Sequence, residues 1–237
     1  MNYVLITGGA RRIGKVIALE FAKKGYNIVL HYNKSDELAN ITKIEIENYN
    51  VNVVLAKADL TIESEIDKLF LQIKQYPIDI VVNNAAIYPK QKSISELDLN
   101  DWNEVINLNL RSYFLVSQNF TNICKANGKI INIASLGAFH IWKKRIIYNI
   151  SKAGVVQLTK ALAVELAPRI AVNSVSPGSI FIPNDDPSEH ITLKESSVPF
   201  GRHGMAEEVF EAVHFFATCS NYITGQNVNV DGGFGLI

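Results

Sequence analysis

The sequence predicts an α/β fold: a doubly wound sheet of seven mostly parallel strands, with helices on both faces. Short apolar runs rich in β-branched residues alternate with longer amphipathic stretches along the whole chain. The short runs are apolar throughout, as strands covered on both faces are, and the stretches between them supply the crossovers of βαβ units. No repeat and no Pro/Gly/Ser-rich linker divides the chain, so we expect residues 1–237 to form one domain.

The strands follow from the short apolar runs, and the helices follow from apolar residues that recur every three or four positions. The predicted strands are Tyr3–Ile6, Asn27–His31, Val51–Ala56, Ile78–Val82, Lys129–Ala134, Ile170–Val175 and Val228–Val230. Helical stripes are formed by Ile13, Val16, Ile17 and Phe21, by Val155, Leu158, Leu162 and Leu166, and by Val209, Val213 and Phe216. The stretch Ser179–Gly204 has neither periodicity and contains Pro183, Pro187 and Pro199, which predicts a functional loop or lid, or else a tolerated insertion.

Composition and charge exclude several function classes. The 237 residues include 23 Lys+Arg and 23 Asp+Glu, for a net charge of 0, and 48% hydrophobic side chains. Such a chain is not disordered, and it lacks the surplus of cations that broad binding to nucleic acid or to an anionic membrane requires. The start MNYVLITGGA has no basic leader and no long apolar run, so we expect a cytoplasmic protein.

Cysteine and histidine spacing predicts no metal site and no disulfide. Cys124 and Cys219 stand alone in predicted helices, which indicates structural thiols. The five histidines, none at ligand spacing from another, are His31, His140, His190, His203 and His214.

A glycine-bearing turn follows the first strand and opens the first helix. Its sequence is TGGARRIG, Thr7–Gly14. In a turn of this kind backbone N–H groups approach a pyrophosphate, and the positive end of the helix dipole stabilises the phosphate charge. We therefore expect dinucleotide phosphates at a group formed by Gly8, Arg11, Arg12, Ile13 and Gly14.

The end of the second strand predicts which dinucleotide binds. An acidic residue here would hold the ribose hydroxyls of NAD, but the segment reads His31-Tyr32-Asn33-Lys34-Ser35 and contains no acid. Arg12, Lys34 and Ser35 can bind a 2′-phosphate through charge-assisted hydrogen bonds, and Tyr32 and Asn33 belong to the same segment. The sequence therefore predicts NADPH rather than NADH, unless these cations are only solvated surface charges.

Tyr148 and Lys152 are spaced i and i+4, so both project from one face of a helix. A nearby ammonium favours the phenolate of a tyrosine and brings its pKa closer to neutral pH, where proton transfer is useful. Ser135, thirteen residues before Tyr148 at the end of a predicted strand, supplies a second hydrogen-bonding group for a carbonyl.

In their order and spacing these motifs resemble the short-chain dehydrogenase/reductase family. The turn resembles its T-G-x-x-x-G-x-G pattern, with Arg12 in place of the middle glycine, and Asn83-Asn84-Ala85-Ala86 resembles Asn-Asn-Ala-Gly, with Ala86 in place of glycine. Two further family marks are Ser176-Pro177-Gly178 and Asp231-Gly232-Gly233. The resemblance spans essentially the whole chain and implies a Rossmann fold that transfers hydride.

The resemblance also implies roles for individual residues. The implied catalytic tetrad is Asn109, Ser135, Tyr148 and Lys152, in which Asn109 holds a water through its backbone carbonyl and Lys152 holds the nicotinamide ribose. Asp59 and Leu60 are placed beside the adenine, although Asp59 is also a candidate N-cap of the next helix. The remaining implied cofactor residues are Asn84, Ala85, Ala86, Pro177, Gly178 and Ile180. The family's usual assembly implies a homotetramer or homodimer, formed through the helices near Trp102–Ala126 and Ser151–Ala167 and the C-terminal strand.

Within the family, the substrate stays open. Four segments resemble the corresponding segments of pteridine reductases: Thr7–Gly14, His31–Ser35, Tyr88-Pro89 and Glu165–Ile180. In those enzymes an aromatic residue stacks on a flat pterin. Those enzymes carry Asp at the position of Ser135, and a hydroxyl suits an oxyanion better than an imine. We therefore place reduction of a carbonyl, including 3-oxoacyl thioesters, ahead of pterin reduction. A third reading, a non-catalytic dinucleotide sensor, conflicts with the intact Tyr/Lys pair.

The segment Phe139–Arg145 precedes Tyr148 and is expected to overhang the substrate. Its aromatics are predicted to line an apolar pocket, and its cations Lys143, Lys144 and Arg145 to meet a phosphopantetheine or an acidic carrier protein; alternatively Trp142 belongs to the core and the cations are solvated. The predicted substrate residues are Tyr88, Ser135, Phe139, Trp142, Tyr148 and Phe181.

Overall fold

The computed structural model describes residues 2–183 and 193–237. The strands are β1 (Tyr3–Ile6), β2 (Asn27–Tyr32), β3 (Val53–Lys57), β4 (Ile78–Asn83), β5 (Gly128–Ile133), β6 (Ile170–Pro177), β7 (Ile180–Phe181), β8 (Gly204–Met205) and β9 (Asn227–Val230). The helices are α1 (Arg12–Lys23), α2 (Asp36–Glu47), α3 (Glu63–Ile73), α4 (Leu99–Ile106), α5 (Ser112–Ile123), α6 (Ile146–Glu165) and α7 (Ala206–Thr218).

Seven strands of the described residues form one parallel sheet in the order β3-β2-β1-β4-β5-β6-β9. All seven are the predicted ones, and the predicted fold is confirmed. One hydrophobic core packs α1, α2 and α7 on one face through residues such as Phe21 and Phe210. A second core packs α3, α5 and α6 on the other face through residues such as Phe70 and Phe120. The apolar strands are therefore covered on both sides, as their sequence requires.

The order of the strands opens a crevice at one edge of the sheet. β1 lies between β2 and β4, so the chain leaves β1 toward one side of the sheet and later returns to its other side. In open α/β sheets, ligands bind beyond the carboxyl ends of the strands at such a switch point. The turn after β1 and the Asn84 segment after β4 both lie there.

The stretch predicted as a loop or lid contains one feature that the sequence did not indicate. β7 and β8 pair in parallel outside the main sheet, with Ile180 opposite Gly204 and Phe181 opposite Met205. Strands of two residues are too short to show an alternating pattern, so no pattern in the sequence indicates them. Residues 184–192, which include Pro187 and His190, lie outside the described residues.

The long helix expected around Trp102–Ala126 is interrupted. Between α4 and α5, the residues Asn107–Arg111 form a π-helical turn, the kind of bulge that occurs often at functional sites. Asn109 in this turn is fully buried. Cys124 and Cys219 lie just beyond the ends of α5 and α7 rather than within helices, and both thiols are free.

In the described part of the chain, none of the helices combines the length and the apolar character needed to cross a membrane.

Candidate active site

A cavity of about 620 Å³ lies at the carboxyl ends of the strands and gathers most of the predicted site residues. Its walls include every residue predicted to bind cofactor: Gly8, Arg11, Arg12, Ile13, Gly14, Tyr32, Asn33, Lys34, Ser35, Asp59, Leu60, Asn84, Ala85, Ala86, Tyr148, Lys152, Pro177, Gly178 and Ile180. They also include Tyr88, Ser135 and Trp142 from the predicted substrate group. Its size is within the range of small-molecule sites. Phe139, Phe181 and Asn109 are not part of its wall.

The glycine turn is packed so tightly that a side chain is excluded at Gly14. A Cβ on Gly14 would lie 2.2 Å from the Gly8 carbonyl oxygen and 2.6 Å from the Asn84 Nδ2. Gly8 has a φ of +63°, a conformation that glycine adopts without strain. Asn84 braces the turn by donating from Nδ2 to the carbonyl of Thr7 at 2.9 Å and to that of Gly8 at 3.2 Å. This bare cradle at the start of α1 fits a pyrophosphate.

Arg12 occupies a backbone conformation that favours glycine. Its φ is +57°, at the position where the family pattern has its middle glycine. An L-residue with a side chain pays roughly 1–2 kcal/mol in this left-handed region. Arg12 therefore carries local strain at a point where its side chain lines the cavity.

His31 is a site residue whose role the sequence reasoning missed, because we weighed it only as a metal ligand. It is 2% exposed at the end of β2, where its Nδ1 accepts from the Gly8 N–H at 3.1 Å and its Nε2 lies 3.0 Å from the Ala58 carbonyl oxygen. These partners require the tautomer with hydrogen on Nε2. Burial lowers the pKa of His31 to about 4, so the ring stays neutral and joins the glycine turn to the segment before Asp59.

The end of the cavity next to the segment after β2 has a cationic rim. Arg11 and Lys34 are exposed, and Ser35 lies beside Lys34. Asp36 is an acid next to this rim, and Lys57 Nζ binds it at 2.8 Å. Its negative charge is therefore compensated and does not oppose a bound phosphate.

Asp59 does not cap the next helix, so that alternative is wrong. α3 begins at Glu63, preceded by Ile62, and Asp59 Oδ1 instead accepts from the Thr61 backbone N–H at 2.9 Å and from the Thr61 hydroxyl at 2.7 Å. Burial opposes ionisation of Asp59, but the bonds from Thr61, with contributions from Asn33 and Lys34, outweigh it and lower the pKa of Asp59. Asp59 is thus a fixed carboxylate on the cavity wall.

Lys152 is buried in α6 among neutral partners. Its Nζ donates to the Ile133 carbonyl oxygen at 2.9 Å and lies 5.5 Å from the centroid of the Tyr113 ring. Burial lowers the pKa of Lys152 to about 7. The ammonium form is therefore only partly populated near neutral pH.

Tyr148 does not have the lowered pKa that we expected from Lys152. Burial raises the pKa of Tyr148 to about 12, and the groups that oppose this rise are the Ser135 hydroxyl and the Arg145 guanidinium. The expectation is wrong for this structure because the Lys152 ammonium is directed at Ile133 and is itself destabilised by burial.

The Asn109 side chain fixes the backbone beside the cavity. Its Oδ1 accepts from the Ile87 N–H and its Nδ2 donates to the Ile87 carbonyl, both at 2.9 Å. The π-helical turn thereby holds the segment that connects Ala86 to Tyr88. The water-holding role of the Asn109 carbonyl stays a prediction.

Tyr88 and Trp142 line the part of the cavity next to Tyr148. The Tyr88 ring meets the Tyr148 ring edge to face, with centroids 4.8 Å apart. A Cβ on Gly137 would lie 3.0 Å from Trp142 Cδ1 and 3.1 Å from Tyr148 Cε1, so this glycine permits the close approach of both rings. Trp142 also stacks on Phe234 at 5.9 Å, and it therefore both lines the cavity and packs against the C-terminal segment.

The segment before Tyr148 differs from the prediction in its charges. Lys143 and Lys144 are exposed, but Arg145 is 8% exposed, so the three cations do not form one solvent-facing cluster. Phe139 is 52% exposed and Phe181 39% exposed, and neither is part of the cavity wall. In the described residues, no three His, Cys, Asp or Glu side chains come together as a metal site would require.

Comparisons with known proteins agree with this geometry. The chain matches the family described as Enoyl-(Acyl carrier protein) reductase over residues 8–235. It is 39% identical to the 3-oxoacyl-(acyl-carrier-protein) reductase FabG of Aquifex aeolicus, over 97% of this chain and 95% of that protein. It is 35% identical to the 3-oxoacyl-(acyl-carrier-protein) reductase of Synechocystis sp., with the same coverage of both chains. A solved structure of a Serratia marcescens short-chain dehydrogenase/reductase double mutant superimposes with a TM-score of 0.90 at 29% identity, covering 99% of this chain and 98% of that one.

Proposed function

Since the chain belongs to the short-chain dehydrogenase/reductase family and is therefore an NAD(P)H-dependent oxidoreductase, we propose that it uses NADPH to reduce a carbonyl compound. The observation that carries the proposal is a single cavity with a phosphate cradle at Gly8–Gly14 and with Ser135, Tyr148 and Lys152 on its wall. One site thus offers the groups that bind a dinucleotide and those that move a proton.

The chain's own residues supply proton transfer and orientation. A bound reduced nicotinamide supplies the hydride. Tyr148 gives its phenolic proton to the carbonyl oxygen, and Ser135 donates a hydrogen bond to the same oxygen as negative charge develops there. Lys152 is the residue that would hold the nicotinamide ribose.

NADPH is favoured over NADH by the charges at the adenosine end. Arg11, Arg12 and Lys34 line the cavity there, and the neighbouring Asp36 is bound to Lys57. A 2′-phosphate placed among these cations gains charge-assisted hydrogen bonds that NADH cannot make.

A ketone is the substrate class that the catalytic serine favours. The Ser135 hydroxyl can donate to an oxyanion, and the relatives from Aquifex and Synechocystis are named as reductases of 3-oxoacyl groups on acyl carrier protein. We therefore place ketones, 3-oxoacyl thioesters among them, first. Pterin reduction is second, favoured by the Tyr88 ring beside Tyr148, on which a flat heterocycle can pack.

A panel of substrates tests the proposal. NADPH oxidation is followed with an acetoacetyl thioester, a simple diketone and a dihydropterin at matched concentrations. We expect the highest kcat/KM for the thioester or the diketone. A preference for the dihydropterin would reverse the order, and NADPH binding without turnover of any substrate would support a dinucleotide sensor instead.

We also propose that the protein assembles as a homotetramer or homodimer in the cytoplasm. α6 exposes Ile150 and Val164, and β9, the last strand of the described sheet, exposes Val228. Unpaired sheet edges and exposed apolar helix faces are commonly covered by another subunit. The two free thiols fit a reducing compartment. Light scattering that finds only monomers would contradict the assembly.

A further inference from the structure

Arg145 carries a buried charge without an acidic counterpart in the described part of the chain. It lies immediately before α6, is 8% exposed, and its Nε and Nη1 are enclosed without a hydrogen-bond partner. The centre of its guanidinium stands 4.0 Å from the centroid of the Tyr88 ring, within the range of a cation–π contact. An arginine keeps its charge at every pH at which proteins are folded, so burial cannot be relieved by losing a proton. Such a charge is costly unless it stabilises a negative charge elsewhere.

Tyr148 is the group on which that negative charge can form. It follows Arg145 by three residues and lies in the first turn of α6, which begins directly after Arg145. The Tyr88 ring contacts both residues, because it lies under the guanidinium and 4.8 Å from the Tyr148 ring. Arg145 is also one of the two groups that favour the ionised form of Tyr148.

The other groups around Tyr148 do not fill this role. Those that share its surroundings are Lys152 on the same helix, Tyr88 after β4, Glu104 on α4, Tyr113 on α5, Ser135 after β5 and, against Trp142, His140. Tyr88 opposes a negative charge on Tyr148, Tyr113 and Glu104 carry no positive charge, and Ser135 is neutral. Lys152 is bonded to the Ile133 carbonyl and is only partly charged near neutral pH. Arg145 is the permanent cation of this set.

We propose that Arg145 is a positioning residue for proton transfer, which holds Tyr88 against Tyr148 and stabilises the phenolate that forms when Tyr148 gives up its proton. This inference rests on the proposed function for its catalytic consequence. The proton leaves the Tyr148 Oη and joins the oxygen of the reduced carbonyl, and the guanidinium stabilises the negative charge left on Oη until solvent returns a proton. In the oxidative direction, the positive charge of Arg145 favours the phenolate of Tyr148, which accepts the proton of the alcohol.

The test compares Arg145→Met, Arg145→Lys and the exposed control Lys160→Met. For each variant, kcat and its pH dependence are measured in both directions. We expect Arg145→Met to lower kcat about tenfold or more. In the oxidative direction, the pH at which kcat increases should shift by about one unit toward alkaline values. Arg145→Lys keeps a charge and should recover part of both effects. Lys160→Met should match the wild type.

A second readout does not depend on turnover. NMR of protein labelled at the tyrosine ring carbon, with Tyr148→Phe to assign the signal, gives the ionised fraction of Tyr148 at a fixed alkaline pH at which the fold is intact. Arg145→Met should reduce this fraction several-fold, and Arg145→Lys should restore part of it. If the wild type is inactive but Arg145→Met still reduces the ionised fraction of Tyr148, the proposed function is overturned and the inference stands.

Three results would overturn the inference itself. One is an unchanged Tyr148 signal and pH profile in Arg145→Met, which would indicate a structural role. Another is a rise in KM for anionic substrates with kcat unchanged, which would make Arg145 a substrate anchor. If Arg145→Met does not fold, Tyr88→Leu is used instead, since it removes the ring under the guanidinium. The third result is an unchanged Tyr148 signal in both Tyr88→Leu and Arg145→Lys, which would also overturn the inference.

Discussion

At the scale of single residues, burial moves the pKa values of Tyr148 and Lys152 apart. Burial raises the first to about 12 and lowers the second to about 7, because the charged form of each group loses water. Both are neutral in much of the range between these values. A proton donor that starts neutral is the form that carbonyl reduction requires.

Removing the phenolic hydroxyl tests the role of Tyr148. Tyr148→Phe should lower kcat by about 10²–10⁴, the usual contribution of a general acid, while NADPH affinity stays close to that of the wild type. Single-turnover kinetics and NADPH titration measure the two effects. Tyr222→Phe, at a tyrosine that is 98% exposed, is the matched control. Near wild-type turnover in Tyr148→Phe would rule out the mechanism.

Lys152 should make the stability of the apo protein depend on pH. Its pKa is lowered from an ordinary value of 10.5 to about 7, so between these values the unfolded chain binds more protons than the native one. Wild-type stability therefore rises with pH across this window, and Lys152→Met removes that rise. Relative to the wild type, the variant should lose about 2–3 kcal/mol between about pH 6 and pH 9. Urea unfolding at both pH values measures these free energies, with the exposed Lys160→Met as control. If wild type and Lys152→Met differ in unfolding free energy by the same amount at both pH values, the lowered pKa of Lys152 is contradicted.

At the scale of elements, the turn between β1 and α1 combines a phosphate-sized space free of side chains with one cation, Arg12, whose backbone is strained. Gly14 accepts no side chain, whereas Arg12 keeps one at a φ of +57°. A glycine at position 12 would relieve strain but would lose the guanidinium on the cavity wall. The turn thus trades stability for a charge beside the dinucleotide.

Two variants separate these effects. Arg12→Ala and Arg12→Gly both remove the guanidinium, so both should weaken NADPH binding to a similar degree and leave NADH binding nearly unchanged. Only Arg12→Gly relieves the backbone, and it should unfold with about 1 kcal/mol more free energy than Arg12→Ala. Denaturant melts and dinucleotide titrations measure the two quantities. Equal stability of the two variants would show that position 12 carries no strain.

The sheet and the ends of its strands could be predicted from the sequence, whereas features that depend on distant packing could not. Apolar runs such as Ile78–Val82 and the i, i+4 pair of Tyr148 and Lys152 are local patterns. By contrast, the role of His31 depends on where Gly8 and Ala58 arrive from other parts of the chain. The same holds for the contact of Arg145 with the ring of Tyr88, which lies more than fifty residues earlier in the chain.

At the scale of the whole molecule, a neutral total conceals an uneven distribution of charge. The 23 cations and 23 anions cancel, yet Arg11, Arg12 and Lys34 gather on one end of the cavity. The two cores that enclose the sheet draw on strands from both halves of the chain, for which reason we propose that residues 1–237 act as one domain. A neutral total charge with a cationic cluster at the cavity suits a small phosphorylated ligand rather than a polyanion.

The most direct test of an NADPH-dependent carbonyl reductase is the ratio of kcat/KM for NADPH and NADH, measured with one ketone substrate at saturation. Contacts to the 2′-phosphate from charged side chains contribute roughly 1.5–3 kcal/mol each, so we expect a preference for NADPH of at least about tenfold. Equal kcat/KM values for the two dinucleotides, or no oxidation of either, would contradict it.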